Sequence, residues 1–394
     1  MTRDDLKVEA EGLGSELVSW RRELHRHPEL GFEEHRTAEF VATRLGRLGL
    51  EVRTGVGVTG VVGLLRAAHS EGPAVLLRAD MDALPIQEVG GREYGSGIDG
   101  RMHACGHDGH VSMLLGAATL LVRRQDTLRR DVVFCFQPAE EGKGGAERMI
   151  GDGVLDWVET GSAYALHLWT PFAHGTVHVR SGPIMAAQDE FSARILGRGG
   201  HGAQPHLAVD PIVAAAQAVG ALQTVVSRNV DPLQAAVVTV GSLHAGCATN
   251  AIPEEALLEG TLRSFDDGVR RQLRERVPAV LEAVARGAGC ELEFELRPGY
   301  PALINHASSV EAVRQVAGAA FGPANVHEPA PLTAAEDFAY FLQKRPGAFV
   351  LVGAGNPERG ISAPHHSPQF DIDESVLPLG AELLARLALH ADGS

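Results

Sequence analysis

The octapeptide His103-Ala-Cys-Gly-His-Asp-Gly-His110 gathers three imidazoles, one thiol and one carboxylate. It precedes Val111–Val122, an apolar run that reads as a buried helix. Cys105 and His107 therefore fall on a glycine-containing loop at a helix N-terminus, where free N–H groups and the dipole favour thiolate. A thiolate and an imidazole two residues apart form a good metal-ligand pair. Two ligands do not make a site, so the rest of the chain must supply more.

Four other segments do. Val75–Arg78 runs into Ala79-Asp80-Met81-Asp82, and Val132–Phe136 runs into Gln137-Pro-Ala-Glu140-Glu141. His167 lies within the apolar run Tyr164–Leu168, and His365-His366 follows the run Ala348–Gly353. The first three positions lie in or just after an apolar, strand-like run, and His365-His366 comes after a loop that follows one. In open α/β sheets that downstream edge is where ligands bind. Cys105, His107, Glu141, His167 and His366 are thus five candidate ligands. A single tetrahedral site needs four, or three plus water, whereas five with one shared suit two metals. Cys105 is the natural bridge. Adjacent residues in extended chain point opposite ways, so Glu141 is read as the ligand and Glu140 as the general base. Two cations lower the pKa of water, and Glu140 would carry its proton to a leaving nitrogen. Asp80 and Asp82 are assigned to orienting the ligands. His103 and His110 are read as loop or helix residues, and Cys135 and Cys290 as core.

The elements that must carry these groups alternate. Helical periodicity covers residues 15–48, broken at His27-Pro28-Glu29-Leu30-Gly31. Strand-like runs at 61–65, 74–78, 132–136 and 164–168 then alternate with helical patterns at 110–124 and 144–158, the mark of an α/β layer fold. A different unit follows: a strand at 190–196, a helix from Asp210-Pro211 to about 227, and strands at 235–243 and 256–263. A helix from Asp266 to about 286 and a strand at 291–296 complete it. This β-α-β-β-α-β order reads as a ferredoxin-like split unit, inserted over 183–297. The first domain, 1–182, resumes at 298–394 with a helix at 308–320, a strand at 348–352 and a last helix at 374–391. The inserted unit offers three polar candidates. His201 in Gly199-Gly-His-Gly and Asn250 in Ala248-Thr-Asn could donate to a developing oxyanion, and Arg263 could pair with a substrate carboxylate.

Composition narrows the function. At 394 residues with 44% apolar content, the chain can bury a sizeable core. A formal charge of −15 makes a nucleic-acid partner unexpected. Met1-Thr-Arg-Asp-Asp-Leu-Lys lacks the apolar run of a signal peptide, and no long uncharged apolar stretch predicts a membrane span. Four widely spaced cysteines without C-x-x-C fit a reducing compartment, so a cytoplasmic location is expected.

Several longer motifs resemble the auxin-conjugate hydrolase, hippurate hydrolase and N-acyl-amino-acid amidohydrolase family, within the aminoacylase and carboxypeptidase G superfamily of dinuclear metallohydrolases. They are Arg22-Glu-Leu-His-Arg-His-Pro-Glu-Leu-Gly-Phe-Glu33, Leu77-Arg-Ala-Asp-Met-Asp-Ala-Leu-Pro85, His103–His110, Phe136-Gln-Pro-Ala-Glu-Glu-Gly142, Gly199-Gly-His-Gly-Ala-Gln-Pro-His206 and Ala335-Glu-Asp-Phe-Ala-Tyr340. The resemblance implies a metal-binding catalytic domain and an inserted lid and dimerisation domain, hence a homodimer or tetramer. It implies two divalent cations (Zn, Mn, Co or Ni) and cleavage of N-acyl amino acids. Carried over by motif, it gives the same five ligands, Glu140 as acid/base, and His201 and Asn250 as lid residues acting on the substrate. In many superfamily members a metal-ligating His stands where this chain has Asp80. The competing readings are a dipeptidase or aminopeptidase of the same fold, a cysteine amidase using Cys105 and His107, and a metal-binding protein without turnover. A deaminase-type zinc site is disfavoured because its C-x-x-C half is missing.

Overall fold

The computed structural model describes residues 3–390. Met1, Thr2 and 391–394, at the ends of the expected first domain and last helix, lie outside the described residues. The chain packs as two units: one runs to Ile184 and resumes with Ile304–Ala330 and from Asp337, the other is Met185–Leu303 with Pro331–Glu336.

An eight-stranded mixed sheet forms the first unit. Its centre is four parallel strands in the order Val132–Gln137, Ala74–Asp80, Thr160–Ala173 and Gly347–Gly355. The strands Val132–Gln137, Ala74–Asp80 and Gly347–Gly355 are buried along their whole length, which is why they read as continuous apolar runs without alternation. Parallel register puts Asp80 level with Gln137, and His167 beside Leu351. The carboxyl ends of all four strands thus share one edge.

The helix His107–Val122 is buried on nearly every side, packed between Gly14–Arg26 and Leu377–His390. Its residues are apolar all round, as a central helix requires. Gly116 permits the close approach, since a Cβ there would stand 2.8 Å from Leu17 and 2.9 Å from Ala381. The helix starts at His107, earlier than the apolar pattern suggests, so Cys105 lies just before it and Gly106 is its left-handed N-cap. The helix expected over 144–158 is only Gly145–Gly151, and turns follow.

In the second unit, four antiparallel strands lie in the order Ala236–Ala245, Glu255–Ser264, Ala187–Leu196 and Glu291–Pro298. The helices Pro211–Thr224 and Asp267–Gly287 share its apolar core. Asp210 and Asp266 cap them through their side chains. The connectivity is the ferredoxin-like one read from the sequence.

Candidate metal centre

Five candidate ligands from four separate segments meet at the carboxyl edge of the first sheet. The ligand atoms of Cys105, His107 and His167 lie within 4.8 Å of one another, and so do those of Cys105, Glu141 and His366. Cys105 belongs to both sets. Its Sγ is 3.5 Å from His167 Nε2, and Glu141 Oε1 is 3.2 Å from His366 Nε2. A third set, His107, Glu140 and Glu141, lies within the same limit.

Backbone carbonyls fix the imidazoles. His107 Nδ1 donates to the carbonyl of Asp82 at 2.9 Å, and His167 Nδ1 to that of Leu168 at 2.8 Å. A carbonyl only accepts, so both Nδ1 atoms carry a proton, and Nε2 is the ring atom left to each imidazole for a cation once it is deprotonated. His107 Nε2 and Glu141 Oε1 are buried without a well-directed hydrogen bond. Unsatisfied buried donors and acceptors of this kind call for a partner. Thiolate, imidazole and carboxylate suit a borderline divalent cation, so the residues fit a metal pair.

The electrostatics tell the same story. Burial opposes a charge on His107, yet Asp80 and Asp82 hold it protonated up to about 10. His366 is raised by its bond to Glu141, whereas burial pushes His167 well down. The Cys105 thiol is pushed well up by burial and then by Glu141, Glu140 and Asp80. This corrects the expectation that the helix N-terminus favours thiolate: a dipole's partial charge is outweighed by burial together with three carboxylates. A bound cation inverts that balance.

The two aspartates act on different partners. Asp80 accepts from Arg78 at 2.6 Å and from His110 Nδ1 at 2.5 Å, so both its oxygens are engaged. His110 Nε2 in turn accepts the Leu168 N–H at 2.9 Å. Asp82 takes the N–H groups of Glu140 and Glu141, at 3.0 and 2.9 Å. Asp80 and Asp82 therefore brace the strand and turn that carry the cluster.

Sequence reasoning missed several members. His110 was read as an ordinary helix residue, although it stands three positions after His107 on the same helix face. His103 is buried with neither ring nitrogen bonded, and burial lowers it to about 4. His365 separates from His366: its Nε2 donates to the Leu168 carbonyl at 3.0 Å and its ring stacks on Trp169 at 4.3 Å. Glu34 and Asp337 are further buried carboxylates that accept hydrogen bonds from the segment carrying Glu140. Glu34 accepts from Ala139 N at 2.9 Å, and Asp337 from Ala146 N at 2.9 Å and from Gln137 Nε2.

The second unit holds the remaining three candidates. His201 and Asn250 come together because the two-residue strands Gly200–His201 and Ala251–Ile252 pair, and Gly202 N donates to Asn250 O at 2.8 Å. Both side chains are exposed. Arg263 lies near the far end of the strand Glu255–Ser264, half-buried, donating a hydrogen bond to the Thr333 carbonyl at 2.8 Å. It lines a recess of about 330 Å³ with Val226, Val230, Val237 and Phe265.

Residues 76–390 match the model of peptidase family M20/M25/M40. The chain belongs to this family. The N-acetyl-L-cysteine deacetylase of Bacillus subtilis is 43% identical over 93% of this chain and 85% of its own. Thermostable carboxypeptidase 2 of Saccharolobus solfataricus is 39% identical over 98% of each chain. Among solved structures, the YXEP protein of Bacillus subtilis, described as a dinuclear metal binding peptidase, has a TM-score of 0.84. It is 33% identical, covering 97% of this chain and 99% of that one. The amidohydrolase relationship read from the motifs is thereby established, and the chain is a metal-dependent hydrolase of amide bonds. No helix among the described residues is long and apolar enough to cross a membrane.

Proposed function

We propose that the protein cleaves N-acyl amino acids to a carboxylic acid and a free amino acid. One observation carries this reading: two triads of metal-type donors share Cys105, with Glu140 beside them. Two cations bound there, drawn from Zn, Mn, Co or Ni by donor softness, would polarise the amide carbonyl and acidify water. Cys105, His107, Glu141, His167 and His366 are their ligands. Glu140, nine-tenths buried, takes the proton of the attacking water and returns it to the leaving nitrogen.

Arg263 pairs with the substrate carboxylate. Its guanidinium is half-buried: burial disfavours its charge, the Glu190 carboxylate only partly offsets this, and a substrate carboxylate would supply the rest. A deacetylase for N-acetylcysteine and a carboxypeptidase have one requirement in common, an amide whose amine half is an amino acid. His201 and Asn250 donate to the oxyanion.

These lid residues fall into two groups. From Glu255 to Arg263 the regular strand runs roughly 26 Å at its usual rise per residue, and His201 and Asn250 lie beyond its Glu255 end. An N-acyl amino acid is far shorter. We infer that one substrate meets Arg263 of one chain and His201 and Asn250 of a second, in a cytoplasmic homodimer. A dipeptidase or aminopeptidase of the same fold is the second reading, which the carboxypeptidase relative fits only weakly.

Assays of N-acetyl and N-benzoyl amino acids beside free dipeptides separate the two. The proposal expects the acylated substrates to be turned over at least tenfold faster. Preference for free dipeptides would transfer the assignment to the second reading.

A further inference from the structure

Among the described residues, four non-glycines have positive φ: Phe32 at 67°, Val58 at 86°, Ala139 at 55° and His366 at 63°. Left-handed backbone is costly for residues with a Cβ and persists only where surrounding contacts enforce it. His366 belongs to the metal cluster. The other three lie in three separate segments, and those segments converge on one side chain, Glu34.

Glu34 follows Phe32 by two residues and is fully buried. Its Oε2 accepts the hydroxyl of Thr59, the residue after Val58, at 2.5 Å. Its Oε1 accepts the N–H of Ala139 at 2.9 Å, and Ala139 directly precedes Glu140. Gly31 completes the contact, because a Cβ there would come within 3.0 Å of Ala139. The Lys143 ammonium ties the same loop to the turn through the Gly31 carbonyl at 2.8 Å. Among the described residues no cation is paired with the carboxylate: burial pushes it up to about 7, the Thr59 hydroxyl pulls it down, and Asp82 adds to the rise. A buried carboxylate without a cation is destabilising, and apolar packing would serve the fold alone better.

We propose that Glu34 is the positioning residue for Glu140: by clamping the Ala139 peptide in its left-handed turn it aims the Glu140 carboxylate for proton transfer. Asp82 holds the next two N–H groups, of Glu140 and Glu141, so three consecutive amides end on two buried carboxylates. Asp82 also accepts near the ligand His107, whose Nδ1 is 3.3 Å from its Oδ1. Glu34 touches no ligand, so its removal tests aim without disturbing coordination. The inference rests on the reading of Glu140 as the acid/base.

The test compares Glu34→Ala, Glu34→Asp and Glu34→Gln with wild type and with Glu140→Gln, all assayed on N-acetyl amino acids with metal content and melting temperature measured. Gln keeps an oxygen for the Ala139 N–H, whereas Asp is one methylene too short to reach both partners. The expected result is a fall in kcat of tenfold or more for Ala and Asp, KM within threefold, two metals retained, and Gln within threefold of wild type. A Glu34→Ala protein with wild-type kcat, or losses that track metal content, would overturn the proposal. Should the Ala variant not fold, equal kcat for Asp and Gln overturns it as well. Failure of the underlying reading looks different: wild type without turnover, or Glu140→Gln fully active.

Discussion

At the residue scale, the division of labour between Glu140 and Glu141 is the point on which chemistry turns. Both were legible as a carboxylate pair after a strand, and extended-chain geometry separates their directions. What the sequence could not show is how they are held. Asp82 binds both N–H groups and Glu34 binds the one before, contacts that span 58 and more residues. Glu140→Gln is expected to keep both metals and lose about 10²–10⁴ in kcat, the usual worth of a positioned acid/base. Steady-state kinetics with metal analysis decides it, and turnover near wild type would remove Glu140 from the reaction. The protonation states give a second prediction. In the cation-free chain His107 stays protonated up to about 10, and His366 and the Cys105 thiol are also raised. Ligation needs these protons off. Metal uptake near neutral pH is therefore expected to release protons, and affinity to rise with pH. Calorimetric titration in buffers of different ionisation enthalpy measures the count, and metal binding without net release would contradict the electrostatics.

At the element scale, four parallel strands explain why ligands distant in sequence meet. Their continuous apolar runs were readable, and so was the edge they share. Their lengths were less so: Thr160–Ala173 extends beyond the predicted 164–168 because its outer residues are not all apolar. Invisible in the pattern was Arg78, a charge inside a fully buried strand. It reaches Gln137 at 2.8 Å, Asp80 at 2.6 Å and Asp337 at 3.0 Å, and so ties two strand ends to the segment after Pro331–Glu336. Removing one partner from such a network leaves buried carboxylates unpaired. Arg78→Ala is expected to destabilise the first unit by about 3–5 kcal/mol, read from denaturant titration followed by a probe in that unit. A loss below about 1 kcal/mol would mean that the network relaxes or takes in water.

At the scale of the whole molecule, the β-α-β-β-α-β insertion was legible because its caps, turns and strand lengths are all local signals. The pairing of His201 with Asn250 was not, since a two-residue ladder between Gly200–His201 and Ala251–Ile252 leaves no periodicity. That pairing, set against Arg263 at the far end of its strand, is what supports the proposal that a second copy completes the active site. In a closed dimer each interface repeats. Mixing inactive Arg263→Ala chains with inactive Asn250→Ala chains is then expected to restore about a quarter of wild-type activity, from one intact site in half of the dimers. Mixtures that stay inactive, although the chains exchange, would place all three residues on one substrate within a single chain.

Everything above depends on a pair of cations sharing the Cys105 sulfur. Anomalous diffraction from crystals of the zinc- or manganese-loaded protein measures this directly. The account predicts two peaks about 3.5–4 Å apart, with Cys105 between them, His107 and His167 on one and Glu141 and His366 on the other. A single peak, or a pair that Cys105 does not touch, would contradict it.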